Sequence, residues 1–266
     1  MPGDRTPRVP SRRLGLLAAL GATRSAEAQS IDDLLTRKTL RVGILADLPP
    51  FGVATVEHKY EGYDVDVAEL MAKYLGVELE LVPVTGPNRI PYLLTSRIDV
   101  LIATFGITPE RARQVAFSIP YSSIDIVLLA ARATRITSTD DLKALKVGVT
   151  RASTPDTALT AIAPPGTRIM RFDDEAMTNQ AMLSGQIDTL ALSTTTVRAF
   201  LALNPSLDYE TKLALRHQPN GIALRRRQAD LMQWINTFIY YVKNNGELDA
   251  ICRKWIGTPL PEMPVF

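Results

Sequence analysis

The strongest constraint on this chain is an alternation of strand-like and helix-like segments that runs through it twice. Leu40, Val42 and Ile44 alternate as one face of a strand does, while Val67, Leu70, Met71, Tyr74 and Leu75 recur at helical spacing before Gly76, a natural helix terminator. Leu79, Leu81 and Val84 mark the next strand; a helix over residues 88–96 and the apolar strand Val100-Leu101-Ile102-Ala103 follow. A second series begins after an apolar crossing over 124–131. It reads strand 146–149, helix 155–162, strand 168–172, helix 175–184 and strand 188–192. A second crossing near 219–224 leads into a helix with Leu231, Trp234, Ile235, Phe238, Ile239 and Val242 on one face, ending at Asn245-Gly246.

Two crossings let the second series sit as an insertion inside the first. The expected architecture is α/β and two-lobed: two open sheets joined by two hinge crossings, with residues 29–125 and 222–266 in one lobe and 126–221 in the other. Ligands of open α/β sheets sit at the carboxyl ends of strands, which here face the gap between the lobes.

The first residues carry a different signal. Arg5, Arg8, Arg12 and Arg13 precede a short apolar run over 14–22, and Ala26-Glu27-Ala28 offers a small-residue cleavage site. Residues 1–28 therefore read as an export signal and the mature chain as starting near Gln29, in the periplasm; Ser11-Arg12-Arg13 leaves Sec and twin-arginine export both open. The apolar run is shorter than the roughly 20 residues a membrane span needs. The whole chain has 30 basic and 28 acidic residues, and residues 1–28 hold five arginines and two acids. That leaves 25 basic and 26 acidic residues, a net charge of −1, which argues against a nucleic-acid partner. Cys252 is the only cysteine, so no disulfide forms within the chain, and its helical setting reads as a small buried apolar group.

The most informative stretch is Ala103-Thr104-Phe105-Gly106-Ile107-Thr108-Pro109-Glu110-Arg111, directly after an apolar strand. Thr108 suits an N-cap and Pro109 the first helical position, which puts Arg111 in a first turn, where the helix dipole disfavours a cation. A bound carboxylate between the arginine and the free N–H groups resolves the conflict; a surface arginine beside an ordinary cap is the alternative. Ser153-Thr154-Pro155, after strand Val147-Gly148-Val149, offers a similar device in the second series.

Further pieces add to these: Pro50-Phe51, Glu61-Gly62-Tyr63-Asp64-Val65-Asp66, Asn88-Arg89-Ile90-Pro91, Phe117-Ser118-Ile119-Pro120-Tyr121, Ser184-Gly185-Gln186-Ile187-Asp188 and Lys254-Trp255-Ile256-Gly257. In their order and spacing, from about Leu40 to Gly257, the chain resembles the family 3 extracellular solute-binding proteins, the polar amino acid receptors of ABC transporters. The resemblance implies the two-lobed type II periplasmic-binding-protein fold, a monomer, a small carboxylate or amino acid as ligand, and an inner-membrane permease as partner. It implies that Arg111 pairs with the ligand α-carboxylate, aided by N–H groups near Gly106 and Thr154 and by Thr104 and Ser153. Phe51 matches an aromatic that walls the cleft, or is core; Arg89 matches an arginine that meets a side-chain carboxylate in acidic amino acid receptors, or is structural. An acidic amino acid is the favoured ligand.

One departure matters. The family usually places an aspartate for the α-ammonium where this chain has Ser193, so Asp47 or Glu175 is left as a possible amine acceptor. Leu45 and Leu48 disfavour a basic ligand. Neither His58 nor His217 has metal-site spacing, no phosphate-binding glycine loop or nucleophile elbow occurs, and no metal or cofactor is expected. The chain therefore reads as a non-enzymatic binding module. A periplasmic lyase resembling the cyclohexadienyl dehydratases is the alternative on the same scaffold.

Overall fold

The structure, a computed structural model, describes residues 31–263 together with Gly3. The expected export signal, Gly3 apart, and the expected mature start lie outside the described residues. The first half of the chain forms α1 (Ile31–Arg37), β1 (Thr39–Leu45), β2 (Asp47–Leu48), β3 (Gly52–Ala54), β4 (Tyr60–Glu61), α2 (Tyr63–Leu75), β5 (Glu78–Val84), α3 (Arg89–Leu94), β6 (Val100–Leu101) and α4 (Pro109–Ala112). A long strand, β7 (Val115–Ala131), carries the chain into the second series. That series is a 3-10 turn (Thr139–Ala144), β8 (Lys146–Thr150), α5 (Thr154–Ile162), β9 (Arg168–Phe172), α6 (Glu175–Leu183), β10 (Thr189–Ser193) and α7 (Thr194–Leu203). The return strand β11 (Tyr209–Arg225) then leads to α8 (Ala229–Asn244) and α9 (Glu247–Ile256).

Local chemistry sets these boundaries. Gly76 ends α2 in the left-handed conformation that glycine adopts without a Cβ penalty, at φ 68°. Thr108 caps α4, its hydroxyl accepting from the Arg111 N–H with Pro109 inside the first turn, as its sequence anticipates. In α8 the buried side chains Leu231, Ile235, Phe238, Ile239 and Val242 form the expected stripe.

The two sheets expected from the sequence are linked into one hydrogen-bonded succession of eight strands, in the order β5-β1-β6-β11-β7-β10-β8-β9. The link is the antiparallel pair β7 and β11, each 17 residues long, far longer than the crossings read from the sequence. Pro120 and Pro219 break the apolar pattern that marks a strand, because proline cannot donate to the ladder. Pro120 sits where the ladder is irregular and Pro219 just before it: register shifts fall between Asn220 and Gly221, the partner of Pro120, and between Gly221 and Ala223, and bulges of this kind bend a strand and raise its twist.

Packing separates along this ribbon. Ile126 and the strand before it join one large apolar core with β1, α2, β6, α8 and α9. From Val127 onward, alternate residues of β7 face two smaller cores: Val127 and Leu129 pack with α6 and α7, while Leu128 and Ala130 pack with β8 and α5. The helix α7 has no counterpart in the sequence reading. Its first turn, Thr194-Thr195-Thr196, is poor in apolar signal, and the helix is set by the cap at Ser193, whose hydroxyl accepts from the Thr196 N–H at 3.0 Å. Among the described residues no helix is long and apolar enough to cross a membrane.

Leu101 is fully buried between β1 and β11, opposite Gly43 on one side and Ala223 on the other. Leu101→Ala should lower unfolding stability by about 2–5 kcal/mol, read from urea melts, because the strand framework is too constrained to collapse into the cavity.

Candidate functional site

The gap between the lobes is built from loop ends and helix N-termini. From the first lobe come Asp47, Arg89 at the start of α3, the segment Thr104-Phe105-Gly106 after β6, and Arg111 in α4. From the second come Ala152, Ser153 and Thr154 at the start of α5, Glu175 at the start of α6, and Ser193 at the start of α7.

The lobes meet through two arginines. Arg111, only 6% exposed, donates to the Gly106 carbonyl at 2.9 Å within its own lobe, and across the gap to Thr154 Oγ1 at 3.0 Å and the Ala152 carbonyl at 2.9 Å. Arg89, 2% exposed, reaches the same Ala152 carbonyl at 2.7 Å and the Ala103 carbonyl at 3.4 Å, and its Nε has no hydrogen-bond partner. Both guanidinium groups lie over the Phe105 ring, 4.5 Å away for Arg89 and 4.3 Å for Arg111. Among the described residues neither forms an ion pair. Burial lowers the pKa of both, and for Arg111 the charge of Arg89 lowers it further. Carboxylates act the other way, Glu175 on Arg89 and Glu110 and Asp156 on Arg111, but the two desolvated cations are bonded directly only to carbonyls and a hydroxyl, a site suited to an anion.

Two carboxyl groups stand beyond the arginines. Asp47 accepts from the backbone N–H groups of Glu175 at 2.9 Å and Ala176 at 3.3 Å, so a first-lobe carboxylate holds the N-terminus of a second-lobe helix. Glu175 is pushed up to about 7, chiefly by desolvation and then by Asp47, with the Thr150 hydroxyl and Arg89 acting the other way. Ser153 and Ser193 turn their hydroxyls inward as caps of α5 and α7, accepting from Asp156 N–H and Thr196 N–H.

A small cavity of about 30 Å³ lies at the centre, lined by Leu45, Leu48, Thr104, Thr154, Glu175 and Ser193 among others. A groove of about 720 Å³ opens beside it, bordered by Arg89, Arg111, Glu110, Asp156 and Arg171. Of the residues anticipated from the sequence, Arg89, Arg111, Thr104, Gly106, Ser153, Thr154, Ser193, Asp47 and Glu175 come together here.

Phe51 does not. It is 2% exposed, packs edge-on against Tyr63 at 6.0 Å, and lines a different cavity with Ile124 and Cys252. The turn after Leu48, closed by the Phe51 N–H to the Leu48 carbonyl, accompanies this inward placement. Phe105 is the aromatic at the cleft; the sequence reading passed over it, although it stands between Thr104 and Gly106 in the stretch judged most informative. Ala152 was also missed, because its role is carried by a carbonyl presented at φ 57°, which side-chain chemistry does not encode. Among the described residues no three His, Cys, Asp or Glu side chains cluster as metal ligands.

Residues 40–258 match the family described as bacterial extracellular solute-binding proteins, family 3. The L-cystine-binding protein TcyJ of Escherichia coli (strain K12) is 29% identical over 246 residues, covering 92% of each chain. Among solved structures, a mutant of ArgBP from T. maritima has a TM-score of 0.79 and 35% identity, over 86% of this chain and 99% of that one. The ancestral amino acid-binding protein AncCDT-1, described as a precursor of cyclohexadienyl dehydratase, has a TM-score of 0.78 and 32% identity, over 85% and 99%.

Two glycines leave room for the other lobe. A Cβ on Gly86 would stand 2.2 Å from the Arg151 carbonyl oxygen, and one on Gly106 would stand 2.7 Å from Thr154 Cγ2. Gly86→Ala should block full closure and weaken any cleft ligand by about tenfold or more, roughly 1.4 kcal/mol, while thermal melting of the protein stays close to wild type. Titration calorimetry beside a melt checks both.

Glu175 generates a second expectation. Its pKa rises from 4.5 to about 7 in the closed structure, so its contribution to stability is complete below about 4.5 and is lost as pH rises through about 7. Asp47 and Asp64 are also raised and act in the same direction. Glu175→Gln should therefore flatten part, not all, of the stability lost between pH 4.5 and 7.5 in urea melts.

Proposed function

Since the chain belongs to the bacterial extracellular solute-binding proteins of family 3, we propose that it is a periplasmic, monomeric receptor that closes its lobes around an amino acid and hands it to an ABC importer in the inner membrane. The observation that carries this is the arginine pair. Burying two cations with no direct ion pair is costly, since Glu175 near Arg89 and Glu110 and Asp156 near Arg111 offset the burial only in part, and an anion placed against them supplies what the carbonyls do not. The guanidinium of Arg111, set by α4 and the α5 N-terminus, matches an α-carboxylate, with the backbone near Gly106 and Thr154 completing the cradle. Arg89, with its unpartnered Nε, stands ready for a second acidic group. An acidic amino acid is thus the favoured ligand, although relatives of this chain are named for binding cystine, glutamine or arginine.

Catalysis is no part of this reading. The named relatives are binding proteins, AncCDT-1 included, and the raised Glu175 is accounted for by burial beside Asp47. The most direct test of ligand identity is mass spectrometry of the solute released by denaturing protein purified from cells; an amino acid is expected, and a solute without a carboxylate would overturn the reading.

Arg111→Ala should cost about 2–5 kcal/mol of binding, roughly 30-fold to several thousand-fold, because it removes one partner of a buried charge pair. Arg111→Lys should restore only part, since an ammonium lacks the two-pronged fork. Arg89→Ala should weaken glutamate far more than glutamine; equal losses in calorimetry would show that Arg89 does not read the side-chain acid.

A further inference from the structure

Phe51, turned away from the cleft, borders a second cavity of about 210 Å³ whose lining includes neither arginine of the lobe contact. Both lobes and the crossing strands wall it. The first lobe contributes Phe51 and the residues that follow α9, the crossings Ser122 and Ile124, and α7 Thr195 and Arg198. Ile124 also lines the small central cavity, and the first turn of α7 divides between the two: Ser193 and Thr196 border the central one, Thr194 and Thr195 this one. The compartments are adjacent but separate. The stretch after α9 is pinned where it forms the wall, the Leu260 N–H donating to Asp249 at 2.8 Å.

The lining has two characters. Phe51 and Tyr63 meet edge-on at 6.0 Å and, with Ile124, Ile256 and Leu260, give an apolar side. A cavity of about 150 Å³ is enough to hold benzene, so one of about 210 Å³ takes a single ring with a small substituent. On the polar side Arg198 is exposed and makes one hydrogen bond, to the Ile256 carbonyl at 3.0 Å, with no ion pair among the described residues. Most of its donors remain unspent. Ser122 is 5% exposed; its Oγ accepts from the Asn220 amide at 3.1 Å, and its own proton meets no acceptor among the described residues. Buried donors are rarely left in that state. The carboxylate on this lining, Asp125, is hydrogen-bonded to His217 at 2.7 Å.

We propose that this cavity is a second binding site, for a small aromatic carboxylate, with the ring against the Phe51 and Tyr63 side and the carboxylate drawn to Arg198 and the Ser122 hydroxyl. A neutral ring of the same size leaves the cation and the buried hydroxyl donor as they are, and a small anion leaves the apolar side without a partner. A molecule that carries both groups matches both. The site is complete only where α7 of one lobe meets the stretch after α9 of the other. Neither cleft arginine takes part, so this site and the amino-acid reading above can fail separately.

The probe is benzoate, titrated into the intact protein at pH 7.5 and followed residue by residue in amide NMR spectra, with acetate and benzyl alcohol as the two half-probes. Benzoate should shift the amides of Ser122, Thr194 and Thr195 saturably. It should bind at least about tenfold more tightly than acetate, which lacks the ring. Against benzyl alcohol the margin should be about three- to fivefold, since an exposed cation contributes modestly. Arg198→Ala should weaken benzoate by that same factor and leave benzyl alcohol unchanged, and Arg198→Lys should recover part of the loss. Thr195→Phe, which places a ring in the cavity from its own wall, should abolish benzoate binding. Shifts centred on Gly106 and Ala152 that vanish in Arg111→Ala would put the probe in the cleft and overturn the proposal. So would the absence of any saturable shift, benzoate held no tighter than acetate, or benzoate binding undiminished in both Arg198→Ala and Thr195→Phe.

Discussion

Two guanidinium groups share one aromatic ring and one carbonyl at the place where the lobes meet, and much of the molecule is arranged around that contact. Arg89 and Arg111 approach Phe105 from the first lobe, and the Ala152 carbonyl of the second lobe accepts from both. Like charges held this close in a desolvated site repel, and each is bonded to neutral oxygens alone. The closed form is therefore electrostatically unfinished, and a ligand carrying negative charge stabilises it in a way the protein alone does not. That differential stabilisation is what couples binding to closure.

The fold serves this contact in specific ways. The pair β7 and β11 ties the lobes together while its irregular register, near Pro120 and Pro219, leaves the ribbon bent rather than stiff. Gly86 lets the Arg151 backbone come closer than any side chain permits, and Gly106 makes room for the Thr154 side chain. Asp47 on the helix α6 N-terminus and Arg198, which donates to the Ile256 carbonyl at 3.0 Å, add contacts between the lobes on either side of the hinge. Behind the cleft, the Tyr63, Asp64 and Tyr121 network holds Thr104 in its left-handed conformation.

Much of this was legible in the sequence. Hydrophobic periodicity located the main strands and helices, because one-sided burial imposes periods of 2 and 3.6 residues. The cap and first-turn proline before Arg111 singled out the residue that the structure places at the lobe contact. The legible part ended where pattern and role diverge. Prolines hid half of each crossing strand, and a run of threonines hid α7. Phe51 and Phe105 are both aromatic residues in promising motifs, and only three-dimensional packing shows that the first faces the core and the second the arginines. The parts played by Ala152 and Asp64 depend on a backbone carbonyl and on a side chain outside the cleft, neither of which composition or spacing reveals.

The central claim is that a small amino acid finishes the electrostatics of the cleft and thereby holds the lobes together. Small-angle scattering across a panel of glutamate, glutamine, arginine and cystine measures this directly. The account predicts that at least one of them reduces the radius of gyration at saturation, and that the same ligand leaves the profile of Arg111→Ala unchanged at that concentration. A wild-type profile that no member of the panel alters would contradict it.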